Sequence, residues 1–387
     1  MDRSYLDHAS TSPLRPVARD AMVAALDDLC GDPGRIHEEG MRSRVALETA
    51  REQVAGLLGA RSREVVFTSG ATESIAAATW GAVARARHRD GHEGPVHQVL
   101  TAVEHSAVRL AAERAGEVSV VPVDGFGRVS VDEVLAAIGP ATAVVHVQWG
   151  NHEVGTVQPV AEIVAACRER GVLVHVDAAQ AAGRVQIDFV GLGADLLSVS
   201  GHKLGGPPGT GALLVRRGLR LAPLLVGGDQ ERARRAGLEP VAALVGLGAA
   251  AEWLATDDRL DAEAAECRRL TDRLREIAAG LDGVTSFGDP EHRLPHLVCL
   301  GIEGVEPQGV LLGLDRAGIA AHSGSACSSE SLEPSPVLAA MGVDAHRSLR
   351  LSVGWSSRDS DVDRVAEALP ETLARLRALA RNSGTTA

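Results

Sequence analysis

Residues 172–215 read VLVHVDAAQAAGRVQIDFVGLGADLLSVSGHKLGGPPGTGALLV. Three apolar runs stand in that stretch, at 172–176, 196–200 and 212–215, each the length of a strand buried on both faces. The first ends in Asp177, the second in Ser200-Gly201-His202-Lys203, and a Gly/Pro-rich turn through Gly211 leads into the third. The same rhythm extends toward the N-terminus. Strand-length runs at 65–68, 99–102, 118–121 and 143–148 alternate with helical spacing at 72–86, 105–115, 130–138 and 158–170. Continuous apolar strands alternating with helices specify an α/β fold, a mostly parallel sheet sandwiched by helices. Two helices, 15–29 and 41–58, precede it. Beyond residue 240 the pattern changes to helices at 242–256 and 260–281, a strand at 297–301, a helix at 307–317, a Ser/Gly-rich loop at 322–331, a strand at 348–353 and an amphipathic helix at 360–380. This predicts a smaller C-terminal α+β domain. The expected units are a large ligand-binding domain, 15–250, and a small domain, 251–387, joined by the N-terminal segment 1–14.

Composition narrows the function. Across 387 residues, 39 basic against 51 acidic side chains leave a net charge of −12, and aromatics are 2%. Phosphate-backbone recognition rests on surplus cations and base stacking on aromatic platforms, so direct nucleic-acid binding is not expected. No apolar run reaches the ~20 residues of a membrane span. The opening MDRSYLDHAS lacks the basic and apolar regions of a signal peptide, so a cytoplasmic location is expected. Cys30, Cys167, Cys267, Cys299 and Cys327 are scattered without CxxC pairing, which fits neither a disulfide framework nor a metal site. The first four read as inert buried thiols. Cys327 sits among Ser323, Gly324, Ser325, Ala326, Ser328 and Ser329, too polar a setting for a core, and is a candidate nucleophile. His146 and His175 fall inside apolar strands and read as core histidines.

Lys203 is the only lysine of the chain; the other 38 basic residues are arginine. The two part company where an amine must lose its proton and act as a nucleophile, which guanidinium does not do. Lys203 lies at a predicted strand end, where open α/β sheets bind ligands. Asp177 ends another strand, and a buried carboxylate needs a partner. After 65–68 comes Ser69-Gly70-Ala71-Thr72, small residues on a strand-to-helix turn where backbone N–H groups meet an anion. Anion cradle, buried acid and lone amine together indicate pyridoxal 5′-phosphate, with its phosphate on the turn, its ring nitrogen on Asp177 and its aldehyde carbon on Lys203 as a Schiff base.

Ordered motifs carry a resemblance along nearly the whole chain: YLDHASTSP (5–13), FTSGATES (67–74), VEHSAV (103–108), NHEVGTVQP (151–159), VHVDAAQ (174–180), SGHKLGGPPGTGAL (200–213), SGSACSSESLEPS (323–335) and RLSVG (350–354). The chain resembles the cysteine desulfurases of the class V aminotransferase group, pyridoxal-phosphate enzymes of fold type I. The resemblance implies that Lys203 carries the cofactor and then shuttles protons, and that His105 stacks over its ring. Asp177 keeps the ring nitrogen protonated and Gln180 meets the phenolic oxygen. Gly70, Ala71, Thr72, Ser200 and His202 hold the phosphate, Arg350 pairs with the substrate carboxylate, and Cys327 accepts sulfur. It further implies L-cysteine as substrate, alanine as product, a persulfide on Cys327, a sulfur-acceptor protein as partner, and a homodimer. The Cys327 thiol needs activation, which His105 or the substrate amine supplies.

The sequence also departs from the family. The usual Asn-Asn-Glu reads Asn151-His152-Glu153, so His152, or Asn151 in its stead, takes the place of the Asn that contacts the phenolic oxygen. In Arg235-Ala236-Gly237-Leu238, leucine replaces a threonine that reaches the neighbouring subunit's phosphate. The chain stops soon after its last helix, which favours a specialised sulfur-delivery role. Competing expectations are a selenocysteine lyase or another class V lyase, and a sulfur-carrier subunit with weakened catalysis.

Overall fold

The computed structural model describes residues 3–90, 94–323 and 334–382. The strands, in chain order, are β1 (Ser4–Tyr5), β2 (Val65–Thr68), β3 (His97–Thr101), β4 (Glu117–Val121), β5 (Thr142–Gln148), β6 (Leu173–Asp177), β7 (Leu196–Ser200), β8 (Gly211–Val215), β9 (Val284–Phe287), β10 (Leu297–Ile302), β11 (Ile319–Ala320) and β12 (Ser348–Ser352). Seven of them form one sheet in the order β2-β8-β7-β6-β5-β3-β4. Strands β7, β6, β5, β3 and β4 run parallel, while β8 pairs antiparallel with both β2 and β7. The expected mostly parallel α/β sheet is the one observed.

Strand identity follows from burial. Every residue of β2, β7 and β8 is buried, as expected of Val/Leu runs covered on both faces. The core between sheet and helices gathers Val65, Val145, Val174, Val176 and Leu197 with Leu47, Val54, Leu247 and Leu254. Full burial of such a side chain stabilises by about 1.5–3 kcal/mol. Leu47 and Val54 lie on the helix Glu38–Leu57. His37 caps that helix by accepting the Gly40 N–H, and Glu38 and Glu39 face the positive end of its dipole.

A three-stranded antiparallel sheet, β12-β10-β9, packs on a second core. That core joins Leu270 and Leu274 of the helix Arg259–Ala279, Val298 and Leu300 of β10, Leu349 and Leu351 of β12, and Val365 and Leu369 of the helix Asp359–Asn382. Leu6 enters this second core, and β1 pairs in parallel with β11, so the first residues of the chain are built into its C-terminal half.

The sheet sets the site. Parallel strands deliver their carboxyl ends to one edge, and the register places Gln148, the last residue of β5, beside Asp177, the last of β6. Ser200, the last of β7, pairs with Gly211, the first of β8. A Cβ on Gly211 would stand 2.6 Å from the Gly70 Cα, so only glycine lets β8 pass beneath the turn after β2. Closing these strand ends together makes a hollow.

Candidate active site

The hollow is a cavity of about 560 Å³, within the range usual for small-molecule sites. Its walls hold Ser69 to Thr72, His105, His152, Asp177, Gln180, Ser200, His202, Lys203 and Arg350. The structure thus brings together every expected site residue but two. Asn151 is excluded from the walls. Its Oδ1 accepts the Glu153 and Val154 N–H groups at 2.8 Å each, and its Nδ2 donates to the Val103 carbonyl at 3.2 Å. The side chain is spent on closing its own turn. Cys327 falls outside the described residues.

Each wall residue is held by its element. Asp177 ends β6 almost fully buried. Its Oδ1 accepts the Ala179 N–H at 3.0 Å and its carbonyl the Trp149 N–H at 2.8 Å, so the carboxylate is braced from behind. His105 caps the helix Ser106–Ala115, its Nδ1 accepting the Ala107 N–H at 3.1 Å, which leaves the ring hydrogen on Nε2. The His105 ring meets the His152 ring edge-on at 5.0 Å. His202 has Nδ1 3.1 Å from Thr11 Oγ1; burial and the Lys203 charge hold its pKa below the ordinary value. At the turn after β2, Glu73 accepts from the Ser69 N–H at 2.8 Å and from Arg235 at 2.8 Å. Burial opposes ionisation of Glu73, yet those hydrogen bonds outweigh it and keep the carboxyl below its usual range.

Arg350, on β12, crosses from the second sheet into the cavity wall. Its guanidinium donates to the His152 carbonyl at 2.9 Å, Asp7 at 2.9 Å and Ser10 Oγ at 2.7 Å, while its Nε, though buried, has no partner among the described residues. His152 Nδ1 is buried and likewise has none among them. Unsatisfied polar atoms are costly inside a protein. Two of them on residues that line one cavity mark a place built for a polar ligand. A primary amine, a braced carboxylate, a turn of small residues and these two orphaned atoms fit pyridoxal phosphate: Lys203 for its aldehyde carbon, Asp177 for its ring nitrogen, the turn for its phosphate.

The sequence reading missed several participants. Ala9 and Ser10 line the cavity, Asp7 pairs with Arg350, and Gln148 stands beside Asp177. The motif 5–13 was the available signal, but its roles depend on contacts across more than 300 residues. Cys30 is exposed, correcting its expectation as a buried thiol. It follows the end of the helix Pro16–Asp28, with no core above it. Cys167 and Cys267 are buried, and burial pushes each thiol up to about 11.

A family model described as Aminotransferase class-V matches residues 4–365. The chain belongs to the class-V aminotransferase family. This member is 41% identical over 387 residues to a cysteine desulfurase of Gluconacetobacter diazotrophicus, covering 97% of this chain and 95% of that one. It is 42% identical over 386 residues to an IscS-like cysteine desulfurase of Mycobacterium tuberculosis, covering 97% of each. Among solved structures, a NifS-like protein superposes with a TM-score of 0.88 at 29% identity, covering 97% of this chain and all of the other. SspA, solved in complex with cysteine, superposes with a TM-score of 0.78 at 30% identity, covering 91% of this chain and 99% of that one. The class-V fold and its pyridoxal-phosphate dependence agree with the cavity just described.

Proposed function

We infer that the chain is a pyridoxal-phosphate-dependent cysteine desulfurase. The observation that carries this reading is the convergence of the chain's sole lysine, a braced aspartate and a buried arginine on one cavity. The net reaction moves one sulfur: the Cys327 thiol and L-cysteine become a Cys327 persulfide and L-alanine. The cofactor, when bound, withdraws electrons from the substrate's α-carbon side and so weakens the bond from the β-carbon to sulfur.

The residues divide the remaining work. Arg350 receives the substrate carboxylate; its buried guanidinium, whose Nε has no partner among the described residues, supports that role. Asp177 keeps a proton on the ring nitrogen by facing it with a negative charge. His105 would lie against the ring, and Gln180 and His152 would meet the phenolic oxygen. Gly70, Ala71, Thr72, Ser200 and His202 would hold the phosphate. Lys203 would hold the cofactor covalently, and its amine is the group placed to carry protons. Cys327, as thiolate, attacks the substrate sulfur; the carbon–sulfur pair returns to carbon and takes up a proton. This assignment of Cys327 rests on its sequence surroundings and motif. The persulfide then passes to an acceptor protein. Residues 15–250 and 251–387, the latter with 1–14, act as the cofactor-bearing and substrate-carboxylate-bearing units of a homodimer in the cytoplasm.

Incubation with L-cysteine and pyridoxal phosphate is expected to give alanine and to add the mass of one sulfur atom to Cys327. The Cys327→Ser variant is expected to keep the visible absorption of the bound cofactor and lose alanine formation. The Lys203→Ala variant is expected to lose the absorption of a covalently held cofactor. Alanine formed by Cys327→Ser at the native rate overturns the assignment of Cys327. An unchanged spectrum in Lys203→Ala overturns that of Lys203.

A further inference from the structure

Gln180 lines the cavity, and its amide is gripped from two sides. Nε2 donates to the Ala9 carbonyl at 2.9 Å, and Oε1 lies 3.2 Å from His296 Nε2. A carbonyl only accepts, so the Ala9 contact puts the amide nitrogen on that side and the amide oxygen on the other. The amide oxygen only accepts too, so the His296 ring hydrogen sits on Nε2. The ring's other nitrogen, Nδ1, is buried without a partner among the described residues, and the whole residue is only 1% exposed. The ring is therefore a neutral imidazole with its one hydrogen spent on Gln180. Burial holds His296 well below the ordinary histidine range, and the Arg184 charge acts in the same direction.

With its orientation set, Gln180 Nε2 gives one hydrogen to Ala9 and keeps a second for the cavity. Without His296, only the Ala9 carbonyl resists the turned-over amide, which would offer its oxygen to the cavity, an acceptor against an acceptor. The histidine's own position is secured from the other sheet. It immediately precedes β10, and its carbonyl accepts the Val353 N–H at 2.8 Å. A residue tied to the three-stranded sheet thus sets the rotamer of a residue at the end of the seven-stranded one.

We propose that His296 is a positioning residue for the cofactor: its Nε2–H fixes the Gln180 amide so that an N–H, and not the carbonyl oxygen, is offered to the phenolic oxygen. The proposal rests on the reading above that Gln180 meets that oxygen. It names a residue outside the cavity walls that acts only through another side chain.

The test is the spectral pH titration of the bound cofactor in the holoenzyme. The Gln180→Ala variant is expected to move the titration midpoint, and His296→Leu to move it in the same direction by roughly one pH unit, the scale of one hydrogen bond to a charged group. The double variant is expected to move no further than Gln180→Ala alone, and His296→Gln, which keeps a donor, to titrate near the native enzyme. If Gln180→Ala shifts the midpoint while His296→Leu does not, or if the two shifts add in full, the proposal is overturned. If Gln180→Ala titrates as the native enzyme does, the assignment of Gln180 to the phenolic oxygen fails, and the proposal fails with it. Nitrogen-15 NMR of histidine-labelled native holoenzyme needs no variant to fold. It is expected to show His296 neutral with hydrogen on Nε2; hydrogen on Nδ1 overturns the proposal.

Discussion

Glu104 shows what a single residue adds behind the site. It follows β3, and its Oε1 accepts from Thr101 Oγ1 at 2.7 Å and from the Gln148 N–H at 2.9 Å. Its Oε2 is buried with no partner. Burial pushes its pKa up to about 8; the hydrogen bonds from Thr101 and Gln148 oppose that and the Asp177 charge adds to it. The folded chain therefore holds a proton that the unfolded chain, near 4.5, has already released. Stability from this group is present below about pH 4.5 and falls as pH rises through 8, by up to about 1.4 kcal/mol per unit. Glu104→Gln, neutral at every pH, is expected to flatten that decline between pH 6.5 and 8, read as the urea midpoint of the apoprotein. Parallel slopes for the two proteins would refute it. At this scale the sequence was partly legible. A lone lysine and an acid closing an apolar run declare themselves by residue type. Glu104 and His296 do not, because what makes each unusual arises only in the folded chain: burial for one, the contact with Gln180 for the other.

At the scale of elements, a polar ladder crosses the parallel sheet inside its core. Gln98 on β3 donates from Nε2 to the Ala112 carbonyl at 2.9 Å, which turns its Oε1 toward His146 Nε2 at 3.2 Å. His146 on β5 therefore carries hydrogen on Nε2 and accepts through Nδ1 from His175 Nδ1, 3.0 Å away on β6. His175 Nε2 in turn accepts from Ser198 Oγ on β7 at 2.7 Å. Every link has one direction only, and both rings are neutral. Burial lowers His146 to about 4 and holds His175 well below the ordinary histidine range. Since both folded values lie below the unfolded value of 6.5, the stability is present above pH 6.5 and is lost as pH falls toward 4. This slope opposes that of Glu104 where the windows overlap, so the variants and not the native curve separate them. His146→Leu with His175→Leu is expected to make the acid slope shallower while lowering stability at pH 7 by on the order of 2 kcal/mol, from the unpaired Gln98 and Ser198 groups. An acid slope as steep in the double variant as in the native protein would sink the idea. The strands bearing this ladder were readable as apolar runs, and β2 and β7 fall at the expected residues. Strands β1, β9 and β11 were not, because two to four half-buried residues leave no period to count. Nor was the turn at Glu231, Arg232 and Ala233, whose φ values of 50°, 58° and 59° are unfavourable for side-chain-bearing residues. Its support is remote: Arg51 holds the Glu231 carboxylate at 2.6 and 2.7 Å, and the Phe67 N–H donates to it at 2.8 Å.

That strained turn matters most for the whole molecule, because it shapes a face that the isolated chain leaves apolar. Ile36 is 94% exposed, Val226 81%, Val45 65%, Leu238 63% and Met41 59%. Met41, Val45 and Glu48 recur at helical spacing on Glu38–Leu57, and Glu48 accepts from Arg232 at 2.8 Å beside the Arg51–Glu231 pair. Glu231 and Arg232 thereby tie segment 224–238 to the helix that bears Met41 and Val45. Large apolar side chains gathered in this way mark interaction surfaces more often than they mark ordinary solvent-facing skin. Leu238 belongs to that face, and its departure from the family's threonine exchanges a hydrogen-bond donor for contact area. The homodimer proposed above is expected to close over it. Light scattering on the native protein should give twice the 40.2 kDa chain mass. Val226→Asp, which places a charge at the most exposed part of segment 224–238, should return a single-chain mass with the secondary structure intact by circular dichroism. Leu238→Thr should leave the mass doubled, because a threonine at one edge position removes little buried area. A native protein that runs as one chain, or a Val226→Asp variant that stays paired, would move the interface elsewhere on the molecule.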